Sequence, residues 1–291
     1  MGRSGTASAI SGHPLVWLQT AKTRFALAIC VVLVPLSLFG QEPSEQDLRK
    51  MARNPFADVV KLPFTLDIYL DAGPNHRTAD DLQLEPLIPI QISQGWLFIP
   101  RILVTPVTYA PDLTNKSGGK LGLGDIVPTF FLTPAHVSRL IWGVGPTFLI
   151  PTATDSELGA GRWGLGPSLV VLSQPEWGSG GILVQQIWSL PAATKRGPVS
   201  QMQLEPMFSY NLAHEWYLTT SPTISADWTQ AAAGNRWLVP IGGGLGRTFK
   251  AGRQPVDANL TIYRNVVRSA SQGSPKWQLS LQVTLLFPSR R

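Results

Sequence analysis

The chain has 291 residues, of which 44% are hydrophobic, with a formal net charge of +6 and a pI near 9.7. Only 14% are charged, against roughly 25% in soluble domains, while 27 Gly, 25 Pro and 10 Trp are abundant, a balance that argues against an ordinary cytosolic enzyme. Residues 1–40 carry Arg3, Lys22 and Arg24 and no acid, so without them the charge falls to +3; no basic run remains, and nucleic acid is excluded as a partner.

Taken in order, Lys22 and Arg24 precede an apolar run at 25–40 that reads as the end of a signal peptide spanning 1–40, with cleavage expected after Gly40. An uncleaved anchor is the alternative, but the run falls short of the about 20 apolar residues a spanning helix needs, and Pro35 interrupts it. The one cysteine, Cys30, lies inside the run, so a mature chain has no thiol for disulfides, thiolate catalysis or zinc. Residues 41–61 are expected to form a periplasmic segment with one short helix at 44–53, capped by Ser44 and stopped by Asn54 and Pro55.

From Leu62 to residue 288 the pattern is β. Phe64, Leu66, Ile68 and Leu70 alternate with Thr65, Asp67, Tyr69 and Asp71, and Trp277, Leu279, Leu281, Val283, Leu285 and Phe287 alternate with Gln278, Ser280, Gln282 and Thr284. Between these ends, strands are predicted at 80–92, 96–109, 121–133, 139–151, 161–174, 180–190, 200–212, 216–229, 236–249 and 255–267, giving twelve, of which the third and seventh alternate poorly. Their length exceeds the roughly 5 to 6 residues of globular strands and suits tilted strands crossing a bilayer. Short connections at 93–95, 134–138, 175–178, 213–215 and 250–254 interleave with mostly longer, more polar ones at 110–120, 152–160, 191–199, 230–235 and 268–275. That asymmetry is the habit of outer-membrane barrels.

Tryptophan, whose amphipathic ring prefers the membrane–water boundary, collects at strand ends. Trp96, Trp142, Trp177 and Trp216 lie beside short turns, and Trp163, Trp188, Trp228, Trp237 and Trp277 towards the long loops, so two interfacial girdles are expected. Against this stand Pro86, Pro100, Pro106, Pro128, Pro146, Pro167, Pro206 and Pro222, which interrupt strands and cannot donate to a ladder.

Several stretches together, LPFTLDIYLDAGPNHRT, GLGDIVPTFFLTP, LIWGVGPTFLIPTATDSELGAGRWGLGPS, NRWLVPIGGGLGRTFKAGRQPV and WQLSLQVTLLFP among them, resemble a family of Gram-negative outer-membrane barrels whose members often carry the borrowed label "neuromedin U". That family is allied to transporters encoded in phenol meta-cleavage clusters, and the likeness extends over about residues 50–288. The resemblance implies an outer-membrane location and passage of small solutes, aromatic or apolar ones included. It carries over no substrate and no catalytic residue.

Catalytic chemistry is sought in vain. His136-Val137-Ser138 falls on a short turn and is followed by Arg139, where the His-x-Ser-Asn-Gly stretch of outer-membrane phospholipases has Asn. The glycines of 242–248 lack the strand–turn–helix context of a nucleotide loop, and His13, His76, His136 and His214 are scattered. Asp155 and Glu157 fit a solvated loop better than a calcium site. No catalytic residue, metal or cofactor is expected.

The lumen-facing candidates are Asp67, Gln83, Glu85, Arg101, Asp125, Arg162, Gln203, Glu205, Asn259, Tyr263 and Gln282. Both signs occur, and they would either meet a solute or simply bond one another. LQLEP at 82–86 and MQLEP at 202–206 repeat the same spacing to Trp96 and Trp216, six strands apart, which would set Glu85 and Glu205 on opposite walls at similar heights. The reading is a twelve-strand antiparallel transmembrane barrel serving as a porin-like channel or transporter, with outer-membrane lipid, a small-molecule solute and, during biogenesis, the barrel-assembly machinery as partners. A plugged structural barrel and a secreted soluble β-sandwich are the alternatives.

Overall fold

In the computed structural model, which describes residues 51–54, 57, 59–136, 139–191, 196–269 and 273–288, the alternating segments pair into one closed antiparallel barrel of twelve strands. In chain order these are β1 (Val59–Ala72), β2 (Arg77–Leu84 continuing at Ile90–Gln91), β3 (Trp96–Pro111), β4 (Gly119–Gly122 continuing at Val127–Pro134), β5 (Leu140–Leu149), β6 (Gly164–Ser173), β7 (Gly178–Ser189), β8 (Ser200–Asn211), β9 (Trp216–Thr220 continuing at Ile224–Asp227), β10 (Trp237–Ala251), β11 (Gln254–Val267) and β12 (Trp277–Pro288). Each strand pairs with the next, and β12 returns to β1 from Val59↔Pro288 to Leu70↔Trp277. Closure leaves no free edge, the one way a sheet satisfies its backbone in lipid.

The expected signal peptide lies outside the described residues, as does most of the helix expected at 44–53, of which 51–53 are seen and are helical. Three strands expected to be continuous are broken where the sequence puts backbone breakers: β2 around Pro86 and Pro89, β4 around Gly124, and β9 at Ser221-Pro222-Thr223. Pro146 and Pro167 stand directly opposite each other in the β5–β6 ladder.

The two faces of the wall differ sharply. In β10 and β11, Ile241 (61% exposed), Leu260 (51%), Ile262 (52%) and Val266 (53%) point outwards. Thr129, Thr147 and Ile99 (0% each) and Phe131 (2%) lie on the opposite phase, and a barrel without a second layer can bury a face only inside. An apolar exterior around a closed polar-containing interior is the build of an integral outer-membrane protein. Phe98, Phe130 and Phe148 run across the outside of β3–β5 with ring centroids 5.8 Å apart at each step.

Candidate functional site: the barrel interior

The register fixes which side chains meet inside. Through Arg101↔Thr129, Thr129↔Thr147, Ser168↔Gln185, Gln185↔Gln203 and Leu183↔Glu205, the inward phase can be followed from wall to wall. At mid-height it carries a belt of polar groups. Gln83 Nε2 donates to Asp81 at 3.0 Å and to Asp67 at 3.4 Å, and Gln278 donates to the other oxygen of Asp67 at 3.3 Å. Asn259 donates to Gln282 (3.1 Å), which donates to Thr65 (3.1 Å). On the far side Gln185 donates to Gln203 at 3.1 Å, and the hydroxyls of Thr129 and Thr147 share a bond of 2.9 Å.

Within this belt Arg101 of β3 holds Glu85 through two bonds, Nε to Oε1 at 2.7 Å and Nη2 to Oε2 at 2.8 Å. The fork geometry of guanidinium against carboxylate makes such a pair directional as well as charged. Glu205, on β8 six strands away from β2, interacts electrostatically with both Arg101 and Glu85. It accepts a bond from the Ser221 hydroxyl, while the Ser221 N–H donates to Tyr263 Oη at 3.0 Å. Two carboxylates from opposite arcs of the barrel thus act on one cation, and the formal charges of the three sum to one negative charge.

The turn-side third of the interior is divided by chemistry. On the arc from β3 to β7, Leu97, Ile99, Phe131, Ile141, Val170, Leu172 and Leu183 form one buried apolar cluster with Leu87, and Met207 packs against it. On the arc from β8 to β1, Tyr217 donates to Asp257 at 2.5 Å and Thr248 donates to the other carboxylate oxygen at 2.6 Å. Gly246 makes room for the Tyr217 ring, since a Cβ there would lie 2.2 Å from Tyr217 Cζ. Residues 51–54 reach this arc: Arg53 lies 4.0 Å over the Tyr217 ring and bonds Asn211, and Lys61 Nζ donates to the carbonyls of Ala52 (2.8 Å) and Asn54 (2.6 Å).

Of the eleven candidates, Asp67, Gln83, Glu85, Arg101, Gln203, Glu205, Asn259, Tyr263 and Gln282 join the mid-height contacts. Asp125 and Arg162 do not. Asp125, at the break in β4, accepts the N–H groups of Ala153 (3.1 Å) and Ala160 (2.6 Å) and so pins the β5–β6 loop; Arg162 donates to Arg196 O at 3.0 and 2.5 Å. Beside them a cavity of about 180 Å³ is lined by Asp125, Thr154, Asp155, Ser156 and Arg196 among others. Sequence reasoning missed Lys61, Asp81, Gln185, Tyr217 and Asp257, all on the inward phase, and the entire apolar cluster.

The nine tryptophans among the described residues sit at strand ends or in the adjoining loops. On the short-turn side Trp96 packs edge-on to Trp142 with centroids 6.1 Å apart, Trp177 stacks near Phe208 and Tyr210, and Arg247 lies over Trp216. On the other side Trp228 meets Trp237 at 5.6 Å, Arg264 lies over Trp277, and Trp163 and Trp188 are exposed. The carboxylates at the loop end are held by local partners. Asp71, near the end of β1, pairs with Lys276 at 2.6 Å and with His76, and the side chains of Asn115 and Thr114 keep the loop residue Asp112 below the usual carboxylate range. Asp155 is lowered first by the Glu157 N–H and is also paired with Lys120 at 3.3 Å. Among the described residues no group of three or more His, Cys, Asp or Glu could hold a metal, while Val137 and Ser138 of the His136 stretch lie outside them.

Neither a protein-family model nor a curated protein sequence matches the chain. Among solved structures, it is similar to a COG4313 outer membrane channel from Pseudomonas putida F1, at 15% identity and a TM-score of 0.59, over 79% of this chain and 95% of that one. That likeness shows a shared barrel fold. Weaker matches are outer membrane phospholipase A from Escherichia coli (12% identity, TM-score 0.45, 77% and 92% coverage) and the toluene transporter TodX of P. putida (9%, 0.43, 83% and 93%).

Proposed function

We propose that this barrel is an outer-membrane channel for small solutes, held closed at rest by its own side chains. The observation that carries the reading is the Arg101–Glu85–Glu205 cluster. Ion pairs withdrawn from water are poor stabilisers, and well-packed apolar residues would hold the wall at least as well. Ionisable groups inside a membrane-embedded structure mark pathways more often than struts. On this reading the mid-height polar belt lines the lumen, the net negative charge of the cluster favours cations, and the apolar arc accommodates solutes with an aromatic or aliphatic flank. The likeness in fold to an outer membrane channel supports transport. Residues 1–40 then serve export, the barrel-assembly machinery inserts the chain, and the two tryptophan girdles set its height in the bilayer.

The test is planar-bilayer recording and liposome swelling with the purified full chain, using aromatic acids beside sugars. Discrete conductance steps and solute entry support the channel. A second reading, a filled barrel that transports nothing, is favoured by the complete burial of Ile99, Thr129 and Thr147. It predicts silence in both assays.

A further inference from the structure

The outer face of the wall carries two cations. On the outward phase of the described strands the basic residues are Arg247 of β10 and Arg264 of β11, both exposed. Their chain neighbours Thr248 and Tyr263 point inwards, where Thr248 bonds Asp257 and Tyr263 meets Ser221, and this fixes the phase. Each arginine stands directly opposite a tryptophan, Trp216↔Arg247 on the short-turn side and Arg264↔Trp277 on the long-loop side. Their guanidinium carbons lie 5.5 Å and 5.6 Å from the two ring centroids. Each tryptophan girdle therefore holds one such pair, and the two arginines belong to adjacent strands.

Among the described residues neither arginine joins an ion pair, so the protein offers each side chain an aromatic face and no anion. The surroundings are otherwise apolar. Ile241, Arg264, Trp277 and Leu70 follow one another across β10, β11, β12 and β1, with Ile241 and Leu70 exposed. Between the two arginines Leu245 faces Leu260 and Gly243 faces Ile262, and the missing side chain at Gly243 leaves the strip recessed beside Ile262. Arg264 stands six residues along β11 from Ala258, the partner of Arg247. That is about 20 Å along a strand, or about 15 Å in height at a tilt of roughly 40°. The apolar band of such a barrel is about 25 Å tall, so the two positions together fall about 10 Å short of its edges. An arginine stem spans such a gap while its head reaches the headgroups, and a charge left in the band costs most at the midplane.

We propose that Arg264 with Trp277, and Arg247 with Trp216, are two phosphate sites for membrane lipid, one at each boundary of the bilayer, on the outer face of β9 to β12. A guanidinium held over an indole face keeps its N–H edge for a partner, and that edge matches two oxygens of a phosphate. Ladder pairing sets each arginine beside its ring, so the fork is oriented before a lipid arrives. Exposed Ile241, Leu260 and Ile262 flank Arg264, and Leu218 and Leu245 flank Arg247, so acyl chains are covered where the headgroup is held. That apolar flank selects a lipid over free phosphate. Arg236, 5.5 Å over the Trp228 ring, differs because its guanidinium already donates to the Gln230 carbonyl at 3.1 Å. Both sites lie outside the wall and function whether or not a solute crosses the lumen.

Native mass spectrometry of the purified full chain, delipidated in detergent, tests this. The probe is dioleoyl phosphatidic acid, compared with dioleoylglycerol, which has the same chains and no phosphate, and with inorganic phosphate as a competitor. The native protein is expected to retain two molecules of phosphatidic acid and to release dioleoylglycerol. Arg264→Gln and Arg247→Gln should each weaken one site about tenfold, and the double variant should weaken both, with gel mobility confirming the folded barrel. Retention at the native level by the folded double variant overturns the proposal. Two results on the native protein alone do the same: equal retention of dioleoylglycerol, which leaves only an apolar surface, and displacement of the lipid by an equal concentration of inorganic phosphate, which leaves a free-phosphate site.

Discussion

Glu85→Gln with Glu205→Gln, set against Arg101→Gln, probes the interior cluster most sharply. The double substitution turns one net negative charge into one positive charge, and the Arg101 substitution doubles the negative charge. An ion passing roughly 8 Å away feels about 2 kcal/mol per unit charge at an effective dielectric of 20, and about 0.5 kcal/mol even at that of water. The double variant therefore moves the cation–anion balance by two such units, enough to reverse the sign of the reversal potential in a salt gradient. The Arg101 variant should move it the other way. Both lose the bidentate pair, whose side chains are 16% and 22% exposed; that partial exposure sets the cost at about 2 kcal/mol, below the 3–5 kcal/mol of a fully buried pair. The assay is reversal potential in planar bilayers, with the temperature of barrel unfolding by gel mobility as a control for folding. Identical reversal potentials in native and both variant proteins would show that ions do not pass the cluster, and the reasoning would fall.

Arg53→Ala removes the cation over Tyr217 and the bond to Asn211 while leaving Lys61 to hold the carbonyls of Ala52 and Asn54. With a cation–π contact of about 1–2 kcal/mol gone, the fraction of time spent open in bilayer recordings should rise severalfold. Gly246→Val drives a side chain into the Tyr217 ring and should cost about 1–3 kcal/mol, read as a lower unfolding temperature with the fold intact at 25 °C. Asp112, in the β3–β4 loop, has a folded pKa below its ordinary 3.8, held down first by the Asn115 side chain, so the stabilisation it gives that loop is present above that value and lost as the pH falls through the folded one. Hydrogen exchange at the Thr114 and Asn115 amides, which donate to Asp112, should accelerate in that acid window, and Asp112→Asn should abolish the pH dependence.

Much of the wall was legible because period-two alternation is imposed wherever one face meets lipid and the other polar neighbours, as in Phe64–Leu70 against Thr65–Asp71. The poor alternation of the third and seventh predicted strands has a physical cause in the structure. In β3, Leu97 and Ile99 pack inside while Trp96 and Phe98 face out, and in β7 Leu183 is inside between Ile182 and Val184, so both faces are apolar and the pattern loses its phase. An interior apolar cluster is invisible to a rule that equates apolar with lipid-facing. The repeat at 82–86 and 202–206 gave an expectation of matched height on opposite walls for Glu85 and Glu205, since both stand eleven residues before a tryptophan. It could not foretell that both would act on Arg101, nor that Arg53, thirteen positions after the expected cleavage at Gly40, reaches Tyr217 and Asn211. The breaks in β2, β4 and β9 coincide with Pro86, Gly124 and Pro222.

Single-channel recording of the purified full-length protein tests the central claim most directly. A channel closed at rest by its own side chains predicts long silent intervals broken by discrete, cation-preferring steps that become more frequent in Arg53→Ala. Silence at every voltage in native and Arg53→Ala protein alike, with the barrel folded and no solute entering liposomes, would contradict it.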